Sequence, residues 1–225
     1  MTTNTLEAEV LDDNGARVIC PTLNHTGTQT PRREEMLKWY RNVLGQQPTL
    51  ESEPPAMPFP AVFTTNDHMH HRMGFFSVPG LEDQVNRFSP GVNHVAWEYE
   101  TVDDLLESWQ RLQNLGIKPA YCVDHGNTFA FYYRDPDGGL VELNADAHAD
   151  RAKSMEFTLT SQEFRANPPG TPVDPAKLIE ARKGGLTLEE LHRRAYAGEL
   201  SPEGAASNHD VPEDQVVRAD DGADT

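Results

Sequence analysis

Apolar and polar positions along this chain change period several times, and each change marks an element. Ala16 to Leu23 is apolar enough for a strand. From Pro31 onward Met36, Leu37, Tyr40, Val43 and Leu44 fall on one helical face, with proline in the first turn, acids just after it and Gly45 at the end. Pro54, Pro55, Pro58 and Pro60 predict an irregular connection. Ala61–Thr65 and Arg72–Val78 read as short strands around a histidine-rich turn. After the Pro-Gly pairs at 79–80 and 90–91 the pattern starts again: Asn93-His94, an apolar strand, a helix over Val102–Leu115, then Gly116. Asn24 to Gly45 spans 21 positions and Asn93 to Gly116 spans 23, and each helix has an internal tryptophan, Trp39 and Trp109. This is an internal repeat. Each copy reads strand, helix, short strands, and two such copies bury their exposed sheet faces against one another.

Later segments differ. Helical stretches at about 161–166, 174–183 and 187–197 are punctuated by Asn167-Pro168-Pro169-Gly170 and by Gly184-Gly185. The expected organisation is therefore a flexible segment at 1–15, a catalytic domain at 16–148 (repeats 16–90 and 91–148), a helical arm at 149–200 and a disordered acidic tail at 201–225. The fold class expected is α+β.

Composition narrows the partners. With 19 basic and 36 acidic residues among 225, the net charge is −17. Such a surface repels phosphate backbones and anionic lipid, which argues against nucleic acid or a membrane as partner. No apolar run is long enough to span a bilayer, and Met1–Asp13 lacks a secretory pattern, so a cytoplasmic location is expected. Cys20 and Cys122 are too few for a disulfide framework and fit no zinc spacing; small buried positions near sheet edges are expected for both.

The chemistry rests on nine histidines and one carboxylate. His25 and His94 occupy matching places in the two copies. Alone, an Asn-His pair reads as a satisfied strand histidine; at matched places about a pseudo-twofold axis, the two imidazoles converge on one point. Glu142 alternates with Val141 and Leu143, so it points to the opposite face. A carboxylate there either faces solvent on an edge strand or is paired or bound to a cation. His68, His70 and His71 share a polar turn. His148, His192 and His209 are expected to be solvated.

Several strings together resemble a known family: Asn24-His25 ahead of Trp39-Tyr40 and Val43-Leu44-Gly45, His70-His71-Arg72, Asn93-His94, and Tyr132-Tyr133-Arg134-Asp135-Pro136-Asp137-Gly138 followed by Val141-Glu142-Leu143. They resemble the vicinal oxygen chelate superfamily, and within it the one-domain relatives of type I extradiol ring-cleaving dioxygenases of the catechol and biphenyl-2,3-diol type. The resemblance covers about residues 20–146. It implies two paired βαβββ modules forming one open barrel around a metal, with His25, His94 and Glu142 as ligands. It also implies His71 as acid–base catalyst, and His125 and Tyr132 as hydrogen-bonding partners of the diol or of dioxygen-derived oxygens. His125 stands two residues closer to Glu142 than in the two-domain enzymes.

Two imidazoles and one carboxylate suit non-haem Fe(II) with open positions, with Mn(II) as the alternative. No Asp or Glu occurs between His68 and Leu81, where glyoxalase-like members place a fourth ligand. The function expected is Fe(II)-dependent extradiol cleavage of a catechol-type diol by O2, in a homo-oligomer. Two alternatives stay open: a non-oxidative glyoxalase- or epimerase-like metalloenzyme, and a non-catalytic small-molecule-binding module. The first asks for a fourth ligand or a carboxylate base, the second for no ligand set at all.

Overall fold

A computed structural model describes residues 10–81 and 91–205. The expectations for 1–9 and for the tail from 206 onward, His209 included, lie outside the described residues. The first copy runs β1 (Thr26–Gln29), α1 (Arg33–Leu44), β2 (Gln47–Ser52), β3 (Ala61–Thr65) and β4 (Met73–Phe76). The second runs β5 (His94–Glu98), α2 (Val102–Asn114), β6 (Tyr121–Asp124), β7 (Thr128–Arg134) and β8 (Leu140–Asp146). Beyond them come α3 (Arg151–Thr160), α4 (Gln162–Ala166), β9 (Thr171–Pro172), α5 (Pro175–Lys183) and α6 (Leu188–Tyr196).

Both copies have one topology. The first sheet is ordered β1-β4-β3-β2 and the second β5-β8-β7-β6, with β9 added at its far edge. In each, the first strand lies parallel to the last, while the other neighbours are antiparallel. A parallel pair needs a long crossover, and the helix with its two following strands supplies it. This is the α+β, twice-βαβββ arrangement expected of a vicinal oxygen chelate fold.

The helices form where the stripes predicted them. Met36, Tyr40 and Val43 bury one face of α1, and Gly45 closes it at φ +69°, a left-handed conformation suited to glycine. Thr101 caps α2 by accepting the Asp104 N–H, and Leu105, Leu106 and Leu112 are buried beneath it. On β7, Phe129, Phe131 and Tyr133 join the helix-side core, whereas Ala130 and Tyr132 face the other way beside Val123 and Leu140. The hairpin after β7 docks on the first copy: Tyr40 OH donates to Asp135 Oδ2 at 3.0 Å and Arg32 Nη1 to Asp137 Oδ1 at 2.8 Å. Burial beside these acids pushes the Tyr40 phenol up, so it stays a donor.

Two local expectations need correction. Ala16–Leu23 forms no strand; the segment makes only a Leu11–Arg17 bridge, and Ile19 and Leu23 are 85% and 81% exposed. Among the described residues no strand pairs with it, and the first strand starts at Thr26 instead. Cys20 is exposed. Cys122 is partly covered, and burial pushes its thiol well up, which keeps it protonated and unreactive.

The arm packs on the second copy. Leu178 and Leu191, both 0% exposed, join the core that also holds Leu105, Leu112 and Phe129. Arg182 Nε donates to Asp103 Oδ1 at 2.8 Å, tying α5 to α2. Leu191→Ala is therefore expected to cost about 2–5 kcal/mol of stability, because the cavity would lie between arm and sheet. Urea denaturation measures this; wild-type stability in that variant would show the arm to be a spectator.

Candidate metal centre

Register brings one half of the expected site together. Pairing of β5 with β8 sets His94 opposite Leu140 and Ala96 opposite Glu142, so His94 and Glu142 are diagonal neighbours on one face. His94 Nε2 lies 3.1 Å from Glu142 Oε2, and the Glu142 side chain is 8% exposed. Across the next strand, Tyr132 pairs with Glu142. Its ring is edge-on to His94 with centroids 5.6 Å apart, and Tyr121 stacks on it at 4.3 Å. Tyr132 OH is 3.0 Å from His125 Nε2. Burial and the Glu142 charge push the Tyr132 phenol up, so it remains a neutral donor. Burial pulls His125 down despite the nearby Glu142 and Asp124 carboxylates, which keeps it a neutral imidazole.

The other half lies on the first copy. His25 immediately precedes β1, with its ring 4.3 Å from that of His71 and 6.5 Å from that of His70. His70 and His71 approach through their Nδ1 atoms at 2.6 Å. Burial, together with His25 and His70, lowers the His71 pKa. Arg72 braces this turn by donating to the Asn24 carbonyl at 2.9 Å and to Asp67, which it holds at about 2. His68 lies exposed in the same turn.

The structure thus gathers His94, Glu142, Tyr132 and His125 in one cluster and His25, His70 and His71 in another. Among the described residues, no group of three or more His, Cys, Asp or Glu side chains is placed to hold a metal ion.

The donor chemistry nonetheless suits a metal. His94 Nδ1 faces Asn93 Oδ1 at 2.8 Å, and His25 Nδ1 faces Asn24 Oδ1 at 2.9 Å. An amide oxygen only accepts, so in each pair Nδ1 carries a proton and Nε2 is the nitrogen left for another partner. A second partner that orients the ring in this way is the usual companion of a metal-binding histidine. At His94 that nitrogen is turned toward a buried carboxylate, and a cation between the two would be bound by both. The asparagine before each histidine was visible in the sequence, but its orienting role was not read there.

Two histidines need a different account from the one expected. His192 is 12% exposed, with Nδ1 2.8 Å from the fully buried Asp124. His148 is partly covered, its Nε2 3.0 Å from the Gly126 carbonyl. Neither is a solvated arm residue, because the arm folds back onto the β6–β7 turn.

Residues 22–143 match the family model of the Glyoxalase/Bleomycin resistance protein/Dioxygenase superfamily. The chain belongs to this superfamily. It is 36% identical over 181 residues to biphenyl-2,3-diol 1,2-dioxygenase 3 of Rhodococcus globerulus, covering 80% of this chain and 91% of that protein. It is 31% identical over 183 residues to biphenyl-2,3-diol 1,2-dioxygenase 2 of the same organism, covering 81% and 93%. The superfamily fold is seen again in a crystal structure of a glyoxylase/bleomycin resistance protein/dioxygenase domain from Frankia sp. EAN1pec, at 13% identity and a TM-score of 0.51, covering 59% of this chain and 97% of that one. The superfamily match ends at 143, whereas the two dioxygenases align over 80% or more of the chain, more than the matched segment contains.

Proposed function

We propose that this protein is an Fe(II)-dependent extradiol dioxygenase that opens the ring of a catechol-type diol and incorporates both atoms of O2. The observation that carries this reading is the paired Asn-His device. It appears in both copies, each with Nε2 presented, and in the second the imidazole faces the buried Glu142. The biphenyl-2,3-diol dioxygenase relatives support the substrate class. His25, His94 and Glu142 would hold the metal; bound Fe(II) supplies a centre at which diol and O2 meet and exchange electron density. Mn(II) fits the same donors.

The protein's own groups have separate tasks. His71 exchanges protons with the diol and the leaving oxygen, as its place beside His25 allows. Tyr132 and His125 hydrogen-bond the oxygens of the bound reactants beside Glu142.

Register also speaks against a four-ligand isomerase. Ala96 pairs with Glu142 two residues after His94, and Gly27 pairs with Gly74 two residues after His25. Gly74 thus stands where the first copy would place its carboxylate. A side chain there would meet the Phe76 ring at 3.0 Å and the Phe63 ring at 3.4 Å. That supports an open oxygenase site.

We further read the protein as a cytoplasmic homo-oligomer. No helix among the described residues is long and apolar enough to cross a membrane, and two free cysteines suit a reducing compartment. β1 and β5 end their sheets. Leu23 and Val92 beside them are 81% and 80% exposed, which favours cover by a second copy.

Anaerobic loading with Fe(II) followed by a panel of catechols tests the function. O2 consumption matched by a yellow ring-opened semialdehyde is expected. An iron-loaded protein that binds catechols but consumes no O2 would refute it.

A further inference from the structure

Asp124 and His125 lie at the end of β6 and face opposite sides of the second sheet. His125 turns toward Tyr132 and Glu142. Asp124 turns toward the arm and is 0% exposed. A buried carboxylate is costly unless both oxygens find partners, and here both do. Oδ1 accepts the Gly126 N–H at 2.8 Å, shaping the turn into β7, and Oδ2 meets His192 Nδ1 of α6 at 2.8 Å.

The two grips on this turn are stiff. α6 begins with a reciprocal capping box between Thr187 and Glu190 and buries Leu191 and Ala195. The His192 ring is framed by His148 and Tyr196, with centroids at 5.0 and 5.7 Å. One edge of it borders a cavity of about 910 Å³, so the ring is not needed to fill the core. The second grip is the 167–170 loop. A side chain on Gly170 would come within 2.3 Å of the Asp124 carbonyl oxygen and 2.7 Å of His125 Cα, at φ +84°, so glycine alone permits this approach. The loop brings the Pro169 backbone into hydrogen-bonding range of the His125 ring. Proline has only a carbonyl to offer. With Nε2 turned to Tyr132, a carbonyl acceptor on the other side of the ring favours the tautomer protonated at Nδ1.

We propose that His192 and Asp124 are positioning residues of the reaction, through which the C-terminal arm sets the place and tautomer of His125. The inference rests on the dioxygenase reading for its kinetic consequence, but the geometry of His125 can be read without it.

The full-length chain carrying His192→Phe tests it, with His192→Asn as the conservative partner, because an Asn amide N–H can stand in for Nδ1–H. His192→Phe is expected to fold and take up iron as the wild type does, with a lower melting temperature because Asp124 Oδ2 loses its partner. Its kcat should fall about 10- to 100-fold, as when an orienting partner is lost, with KM for the catechol little changed. His192→Asn should restore most of the rate. In a His125→Ala background, His192→Phe should add nothing, because the loss is routed through His125. A further drop in that background, or an unchanged kcat in the single variant, overturns the proposal. Should phenylalanine prevent folding, His192→Ala, which extends the adjoining cavity so that water can replace the lost partner of Asp124, is read in the same assays. Independently of activity, ¹⁵N shifts of the His125 ring in metal-free protein should show one Nδ1–H tautomer in the wild type and a mixture in His192→Phe. An identical spectrum overturns the proposal even if no catechol is ever cleaved. Absence of cleavage with the expected spectral change instead counts against the dioxygenase reading alone.

Discussion

Glu142→Ala is expected to lose its bound Fe(II), and with it ring-cleaving turnover, while keeping its fold. The Glu142 side chain is 8% exposed and in the described structure has three neighbours. His94 Nε2 lies at 3.1 Å, Asn144 Nδ2 donates to Oε1 at 2.8 Å, and the Tyr132 hydroxyl interacts with the same carboxylate. Removing it leaves donors with less to bind, at about 1–3 kcal/mol, but also relieves the cost of holding a charge inside a strand. Val141 and Leu143 on the opposite face keep β8 in the core. Iron is different, because two imidazoles alone offer no anionic donor. The loss in affinity should exceed the roughly 10–100-fold that accompanies loss of an outer partner. Metal analysis after anaerobic loading and gel filtration measures it, alongside His25→Ala and His94→Ala. Full iron occupancy in Glu142→Ala would remove this residue from the ligand set, and full occupancy in His25→Ala would remove the first copy.

A second large effect is expected at His71. The His71→Gln protein should bind iron and catechol normally, yet turn over slower by about 10²–10⁴, the usual worth of a positioned proton-transfer group. Two histidines and one carboxylate complete a facial set, and a further protein ligand would block diol or O2. His71 is close enough to the proposed ligand His25, at 4.3 Å between rings, to reach reactants held there. Glutamine keeps a polar group of similar length beside His70 and Phe63, so the turn should survive. Single-turnover and steady-state rates, with iron content measured on the same samples, separate the outcomes. Near-normal turnover would deny His71 its role. Loss of iron would make it a ligand and require the site to be rebuilt around the His25, His70 and His71 cluster.

Much of this architecture was legible because it is written in local chemistry and written twice. The stripe from Met36 to Leu44 and the Gly45 stop specify α1 wherever it packs, and the same holds for Val102–Asn114. The Asn-His pairs recur at matched spacing, so the repeat marked His25 and His94 without any structure. β2 escaped because it is an exposed edge strand with no apolar alternation to announce it. β9 escaped because it has two residues, one of them a proline tolerated at a sheet edge. α3 escaped because it buries only Ser154 and so shows no apolar stripe.

The chain alone therefore determined the repeat, its helices and the residue types of the candidate site, since spacing, capping and hydrophobic period act over a few residues. Register and the return of the arm determined the rest, since those contacts join positions far apart in the chain. Only strand pairing set His94 against Glu142 and left Gly74 at the matching place in the first copy. Only the folded arm carried His192 to Asp124, 68 positions away, where a histidine expected to be solvated meets a fully buried carboxylate and lowers the cost of its burial.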